Sequence, residues 1–320
     1  MKRREFTLTA VAALAAAQWP MQAAAQAITN VKMMIPANPG GGWDQTGRAL
    51  GAAMQQAKAV QSVQFDNKGG AAGTIGLAQF VNSAKGDPNA MLIGGMVMVG
   101  GIVLNKSPVD LNMVTPLARL TSEYEVVVVP ANSPYKTMGD LVKAFKADPG
   151  KIAWNGGSAG GTDHILAGLI ARAVGVDPSK VNYIASKGGG DQIANIVGGH
   201  VAAGVAGLGE FSEHIKSGRM RGLAVSAPAA IDGIPSLKEQ GIDIVLGNWR
   251  GAFGAPGITG AQRDALIAAV KAGVDSSAWK ESLTKMGWES VYLSGDAFKT
   301  FLDEDTKRIR GILDSLALAK

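Results

Sequence analysis

Ser158 stands inside Gly156-Gly157-Ser158-Ala159-Gly160, the Gly-x-Ser-x-Gly spacing that exposes a nucleophilic hydroxyl on a sharp strand-to-helix turn in α/β-hydrolases. That chemistry also needs a histidine base, which in that fold follows the serine and an acid late in the chain. The three histidines are His164, His200 and His214, and none occurs after them. Pro39, not a histidine, precedes Gly40-Gly41-Gly42, so this run is no esterase oxyanion motif. An exported serine hydrolase acting through Ser158 is therefore the alternative reading. A phosphate loop is out because no lysine follows Gly161, and no Gly-x-Gly-x-x-Gly follows the first strand pattern to mark a dinucleotide fold.

Binding without catalysis explains more of the chain. Four glycine-rich stretches each follow a strand pattern and open a helix pattern: Pro39 to Asp44, Asn67 to Gly73, Gly156 to Thr162, and Lys187 to Asp191. Glycine lets backbone N–H groups turn toward a common point and lets a guest come close. A helix start adds unpaired donors and a partial positive charge, so the natural guest is a carboxylate or a phosphate. A hydrogen bond to a charged group contributes about 1.5–3 kcal/mol net. Four or five of them, less ordering costs, reach a micromolar Kd of about −8 kcal/mol without any buried arginine. Asp44 is expected to cap the first of these helices. His164, one turn into its helix, is expected to orient the loop or pack, and His200 and His214 to be surface or structural.

The elements that must hold these corners alternate between strand and helix almost throughout, which predicts an α/β fold with mixed, mostly parallel sheets. Two corners precede Val126 and two lie between Val126 and Val225. If the chain crosses between two domains at those strands, the corners line opposite walls of one cleft. The expected division is residues 28–125 plus 228–320 for domain 1 and 126–227 for domain 2, with a hinge near 123–130 and 221–228. The uninterrupted apolar run Ala90 to Leu104 reads as a buried strand plus loop, and Pro116–Thr121 and Val126–Pro130 read as separate strands. Thr137 with Asp140 resembles a capping box. Three helical patterns close the chain, near 259–273, 277–286 and 296–316.

The N-terminus reads as a signal peptide over residues 1–27. It has a basic Lys2-Arg3-Arg4, an apolar segment from Phe6 to Ala17 and a small-x-small site at Ala25-Gln26-Ala27. Arg3-Arg4-Glu5-Phe6 also resembles a twin-arginine signal. Export to a bacterial periplasm, with cleavage after Ala27, is the expected location. The whole chain carries +5 from 31 basic and 26 acidic residues; without Lys2, Arg3, Arg4 and Glu5 the balance is 28 to 25. That is too mild for nucleic acid, and no basic run with interleaved aromatics occurs. The absence of cysteine excludes disulfides and thiolate metal sites. No cofactor and no metal are expected.

The four stretches, with Trp154-Asn155 leading into the third and Asp163-His164 closing it, together resemble the solute receptors of tripartite tricarboxylate transporters, also called Bug receptors. The resemblance covers essentially the whole mature chain. Its departure is Asp87-Pro88-Asn89-Ala90, where the family often has Asp-Gly-Tyr-Thr, on a turn away from the corners. It implies a two-domain type II periplasmic binding protein with a Venus-flytrap cleft. It implies a carboxylate ligand delivered to two membrane permease subunits by a receptor that is not an enzyme; a tricarboxylate, a dicarboxylate, an amino acid and an aromatic acid all stay open, and a monomer is expected. Carried onto this chain, Gly41, Gly42 and Trp43 form one wall, with Asp44 capping the helix or holding water. Ala71, Ala72 and Gly73 add donors. Ser158, Gly161 and Thr162 grip the carboxylate from the other domain, and Asp191 orients a water or a ligand hydroxyl, or caps its own helix. Trp249 and Arg250, after the second crossing, are further candidates for reaching the ligand.

Overall fold

The computed structural model describes residues 28–186 and 188–318, so the expected leader and Lys187 lie outside it. Ten strands and ten α-helices follow one another among the described residues. They are β1 (Asn30–Ile35), α1 (Gly42–Gln56), β2 (Ser62–Asn67), α2 (Thr74–Ser83), β3 (Ala90–Gly95), α3 (Met96–Leu104), β4 (Thr115–Pro130) and α4 (Met138–Ala147). Then come β5 (Trp154–Gly156), α5 (Thr162–Ala173), β6 (Tyr183–Ala185), α6 (Gly189–Val197), β7 (Ala203–Gly207), α7 (Leu208–Lys216) and β8 (Met220–Val225). The chain ends with β9 (Gly247–Gly254), α8 (Gly260–Asp275), α9 (Ser277–Met286), β10 (Glu289–Ser294) and α10 (Gly295–Ser315). No described helix is long and apolar enough to cross a membrane.

The strands run in the order β2-β1-β3-β9-β4-β7-β5-β6, with β8 and β10 pairing β4 off this path. The outer pairs β1–β2, β1–β3, β5–β6 and β5–β7 are parallel. Every pairing made by β4 or β9 is antiparallel. The sheet is therefore mixed, and its parallel character is confined to the two flanks, where each strand is followed by a glycine corner and a helix. Parallel strands need such crossovers, and these crossovers bring helix starts to one end of each flank.

The strand β4 joins the flanks. Thr115 to Tyr124 pair with β9, and Glu125 to Val128 pair with β7. The segments expected as two strands are thus one strand of 16 residues. Val126, Val127, Val128 and Val129 are all fully buried, as a run of β-branched residues covered on both faces should be.

The second correction is at Ala90 to Leu104, where a strand is followed by a helix, not a loop. Gly100 and Gly101 look like breakers in the sequence. In the fold they are contact points: a methyl group at Gly100 would overlap the Gly160 carbonyl oxygen, and one at Gly101 would overlap the Ala72 side chain. A helix apolar on all sides is a buried helix, and here its glycines let backbone approach backbone. Strands β9 and β10 carry no clear strand signal and were not expected. The capping box of α4 is as expected: Thr137 Oγ1 accepts from Asp140 N–H at 3.1 Å and Asp140 Oδ2 accepts from Thr137 N–H at 2.9 Å.

Candidate functional site

A cavity of about 160 Å³ lies between the flanks. Its lining includes Gly41, Gly42, Trp43, Ala72 and Gly73 from the first two corners, and Ser158, Gly161 and Thr162 from the third. Gly188 and Gly189 come from the fourth. So the four corners do meet at one place. Gly42 begins α1, Thr162 begins α5 and Gly189 begins α6, so three helix N-termini open here. The side chain of Trp43 is wedged under the second corner, where a methyl group on Gly73 would stand 2.6 Å from the ring. The ring therefore both packs and lines. Gly73 has φ +87° and Ala72, beside it, φ +54°; a non-glycine residue held left-handed is strain kept at the cavity wall.

Three residues expected at the site are elsewhere. Asp44 is not the N-cap of α1, which is Gly41. Its buried carboxylate accepts from Gly40 N–H at 2.9 Å, Asn67 Nδ2 at 3.0 Å and Arg48 Nε at 2.9 Å. It ties the first corner to the second from behind, because its position one turn into α1 faces the loop and not the cavity. Ala71 is exposed, and its carbonyl accepts from the Thr74 hydroxyl at 2.9 Å. Asp191 is exposed on α6, while its neighbour Gln192 is buried, lines the cavity and donates to the Val205 carbonyl. One residue of helix rotation separates the two.

The strand β9 separates the remaining pair by its pleat. Trp249 faces away, donating from Nε1 to Asp305 Oδ2 at 2.7 Å and packing edge-on against Phe298 and Phe301. Asn248 and Arg250, on the other face, line the cavity. Arg250 is 3% exposed, and its Nη2 pairs with Glu123. A methyl group at Gly42 would overlap this guanidinium. The first corner is thus bare where an arginine lies flat against it. Of the two further candidates, Arg250 lines the cavity as a buried arginine and Trp249 does not.

His164 accepts from Gly160 N–H at 3.1 Å through Nδ1, and its ring stacks 4.2 Å from Tyr183. The Tyr183 hydroxyl in turn donates to the Gly157 carbonyl at 3.1 Å. Burial lowers the His164 pKa to about 4, so it is neutral and acts as a brace for the corner. Its Nδ1 lone pair is engaged and is no base for Ser158. The hydrolase reading finds no support.

Residues 48–318 match the family model described as the tripartite tricarboxylate transporter family receptor. The chain belongs to that family. A UPF0065 protein from the gbd 5′ region of Cupriavidus necator is 30% identical, with 100% of this chain and 99% of that one covered. The periplasmic binding protein BugD superposes with a TM-score of 0.81 at 20% identity, over 91% of this chain and 98% of BugD. MatC from Rhodopseudomonas palustris, solved with bound malate, superposes with a TM-score of 0.78 at 19% identity, over 89% and 99%. At these identities the two structures establish the fold of the receptor: an α/β, two-domain periplasmic binding protein.

In this receptor the cavity floor is richer in carboxyl groups than a site for anions requires. Asp163 from α5 and Glu210 from α7 line the cavity with Arg250, and Glu123, paired to Arg250, and Glu125 are buried on β4 behind them. Burial, with the charge of Glu123 adding to it, raises Glu210 from 4.5 to about 8. Burial raises Asp163 from 3.8 to about 6, against the pull of the Gly157 N–H. Burial raises Glu125 well above the usual carboxylate range. Each raised acid holds a proton in the folded state that it has lost in the unfolded state at intermediate pH. Its stabilising contribution is complete below about pH 4 and is lost as pH rises through 6 and then 8. The unfolding free energy is therefore expected to fall between pH 5 and 8.5 by on the order of 5 kcal/mol. Urea unfolding across that range reads the slope, and Glu210→Gln should flatten its upper half. A stability that rises with pH over this interval would contradict the assignment.

Proposed function

We propose that this protein is a non-catalytic periplasmic receptor that captures a small carboxylate and passes it, as a monomer, to two membrane permease subunits. The observation that carries the reading is that Gly42 and Ser158, from opposite flanks, line the same cavity. The residues expected to grip the guest are Gly41, Gly42, Trp43, Ala72 and Gly73 on one wall, with Ser158, Gly161 and Thr162 on the other. The malate bound to MatC, a fold-level relative, supports the ligand class. The lobes are residues 28–125 with 228–320, and 126–227, flexing near 123–130 and 221–228. The change of pairing partner along β4 at Tyr124–Glu125 supports that hinge. Export through the leader at 1–27 accounts for the compartment.

Mass spectrometry of the acid that copurifies with the protein, followed by a thermal-shift screen of organic acids, tests the reading. No stabilisation by any acid at millimolar concentration would count against it. Thr162 sharpens the test. It is fully buried, it lines the cavity, and its hydroxyl has no protein partner. An unpaired buried hydroxyl costs the free protein stability and rewards a ligand that meets it. Thr162→Val is expected to weaken binding about tenfold, near 1.4 kcal/mol, while the unliganded protein melts no lower than wild type. An unchanged Kd by calorimetry would remove Thr162 from the site.

A further inference from the structure

We propose that the guest carries a cationic nitrogen as well as its carboxylate, and that Glu210 is the residue that selects for it. The inference rests on the carboxylate-receptor reading and narrows it.

Glu210 lines the cavity from the first turn of α7, with its side chain 21% exposed. One oxygen lies 3.9 Å from Arg250 Nη2, beyond hydrogen-bonding reach, and the other faces Gly189 at the start of α6. Arg250 answers it only at a distance, because the guanidinium's close pairing is with Glu123, which is 2% exposed and also accepts from Trp288 Nε1 at 2.9 Å. Asp163, the other carboxyl on the lining, is held by Gly157 N–H. Glu210 is thus a carboxyl group facing the cavity with no hydrogen-bond donor of its own.

The unpartnered atoms around it match a guest of two polarities. Arg250 Nη1 is a buried donor without an acceptor, and Asn248 Oδ1 is a buried acceptor without a donor; both residues line the cavity. Burying either group unpaired is costly. A carboxylate answers Arg250 Nη1, and a protonated amine answers Asn248 Oδ1 and Glu210. A metal ion does not fit this role: among the described residues no group of three His, Cys, Asp or Glu is placed to hold one. A plain dianion fits poorly, since Glu123 already answers Arg250 and no other Arg, Lys or His among the described residues lines the cavity to balance a second negative charge. Burial, with the charge of Glu123 adding to it, makes a charged Glu210 costly until a cation meets it.

The experiment is titration calorimetry of the ligand-free receptor with matched acids and amino counterparts: propionate and alanine, butyrate and 4-aminobutyrate, succinate and aspartate, 3-phenylpropionate and phenylalanine. In at least one pair the amino member is expected to bind at least tenfold tighter. Glu210→Gln keeps the shape and neutrality of the protonated side chain. It should weaken that amino ligand at least tenfold while leaving its plain acid unchanged or tighter. If plain acids bind wild type as tightly as their amino counterparts, or if the preference survives Glu210→Gln, the inference falls and the carboxylate reading stands. If no compound of either series binds, and the broad acid screen is also silent, both fall.

Discussion

Arg250→Ala is expected to lower the unfolding free energy by about 3–5 kcal/mol, among the largest losses any single substitution in this chain should produce. The reason is what the arginine leaves behind. Glu123 would keep only the Trp288 indole N–H at 2.9 Å, in a pocket it shares with Glu125, Asp163 and Glu210. A buried carboxylate without its counter-charge either ionises at great cost or takes up a proton. The arginine itself contributes packing too, lying on Gly42 and 5.3 Å from the Trp288 ring centre. Adding Glu123→Gln to the same chain should return most of the loss, because the orphaned charge goes with it. Denaturant unfolding of the two single variants and the double variant closes the cycle. A loss below 1 kcal/mol for Arg250→Ala, or no recovery in the double variant, would show that the pair is not a buried unit.

Gly100→Ala should separate binding from folding less cleanly but with a larger effect on binding. The added methyl group meets the Gly160 carbonyl oxygen, which is backbone on both sides of the contact and has no side chain to swing away. The helix α3 and the third corner must move apart. Overpacking of this kind costs about 1–3 kcal/mol of stability. The same movement carries Val97 from α3 and Gly161 and Thr162 from the corner, all of which line the cavity. Affinity for the copurified acid is expected to fall more than tenfold. Gly139→Ala is the control: Gly139 is an exposed residue of α4 with only Thr137 Oγ1 near, at 3.6 Å, and alanine there favours the helix. Equal Kd values for wild type and Gly100→Ala would show that the contact has no bearing on the site.

The parts of the molecule legible in the sequence are those decided within a few residues. The capping box at Thr137 and Asp140 is a local reciprocal bond, and it is present. The glycine corners are local changes from strand to helix, and eight of the residues expected at them line the cavity. Asp44 and Asp191 went elsewhere because a small difference in helix rotation turns one into the loop behind the corner and the other to solvent. The floor was legible only at Arg250, named as a candidate without the partners around it. Arg250 and Asn248 are two apart on a strand with little strand signal, and Glu123 lies 127 positions away from Arg250. Glu210 sits on what reads as an ordinary connection. An Asn-Trp-Arg triplet in a strand does hold the clue: alternate residues share a face, so a tryptophan buried on one side puts both polar neighbours on the other. The apolar stretch at Ala90 to Leu104 misled because the partners that make its glycines useful, Gly160 and Ala72, are not adjacent in sequence.

The undivided β4 has a consequence for how the molecule comes into being. Its first half needs β9 and its second half needs β7 and β8, so the strand leaves the ribosome long before either side can be zipped. The valines wait unpaired until β7 and β8 have been made, and Thr115 to Tyr124 wait longer still, until β9 at Gly247–Gly254. Pairings so remote in the chain close slowly, and exposed strands of this composition are the ones that stick to their neighbours. A polypeptide stopped short of Gly247 would leave the first half of β4 and the edge of β3 without their shared mate β9, so the flank β2-β1-β3 could not be joined to β4.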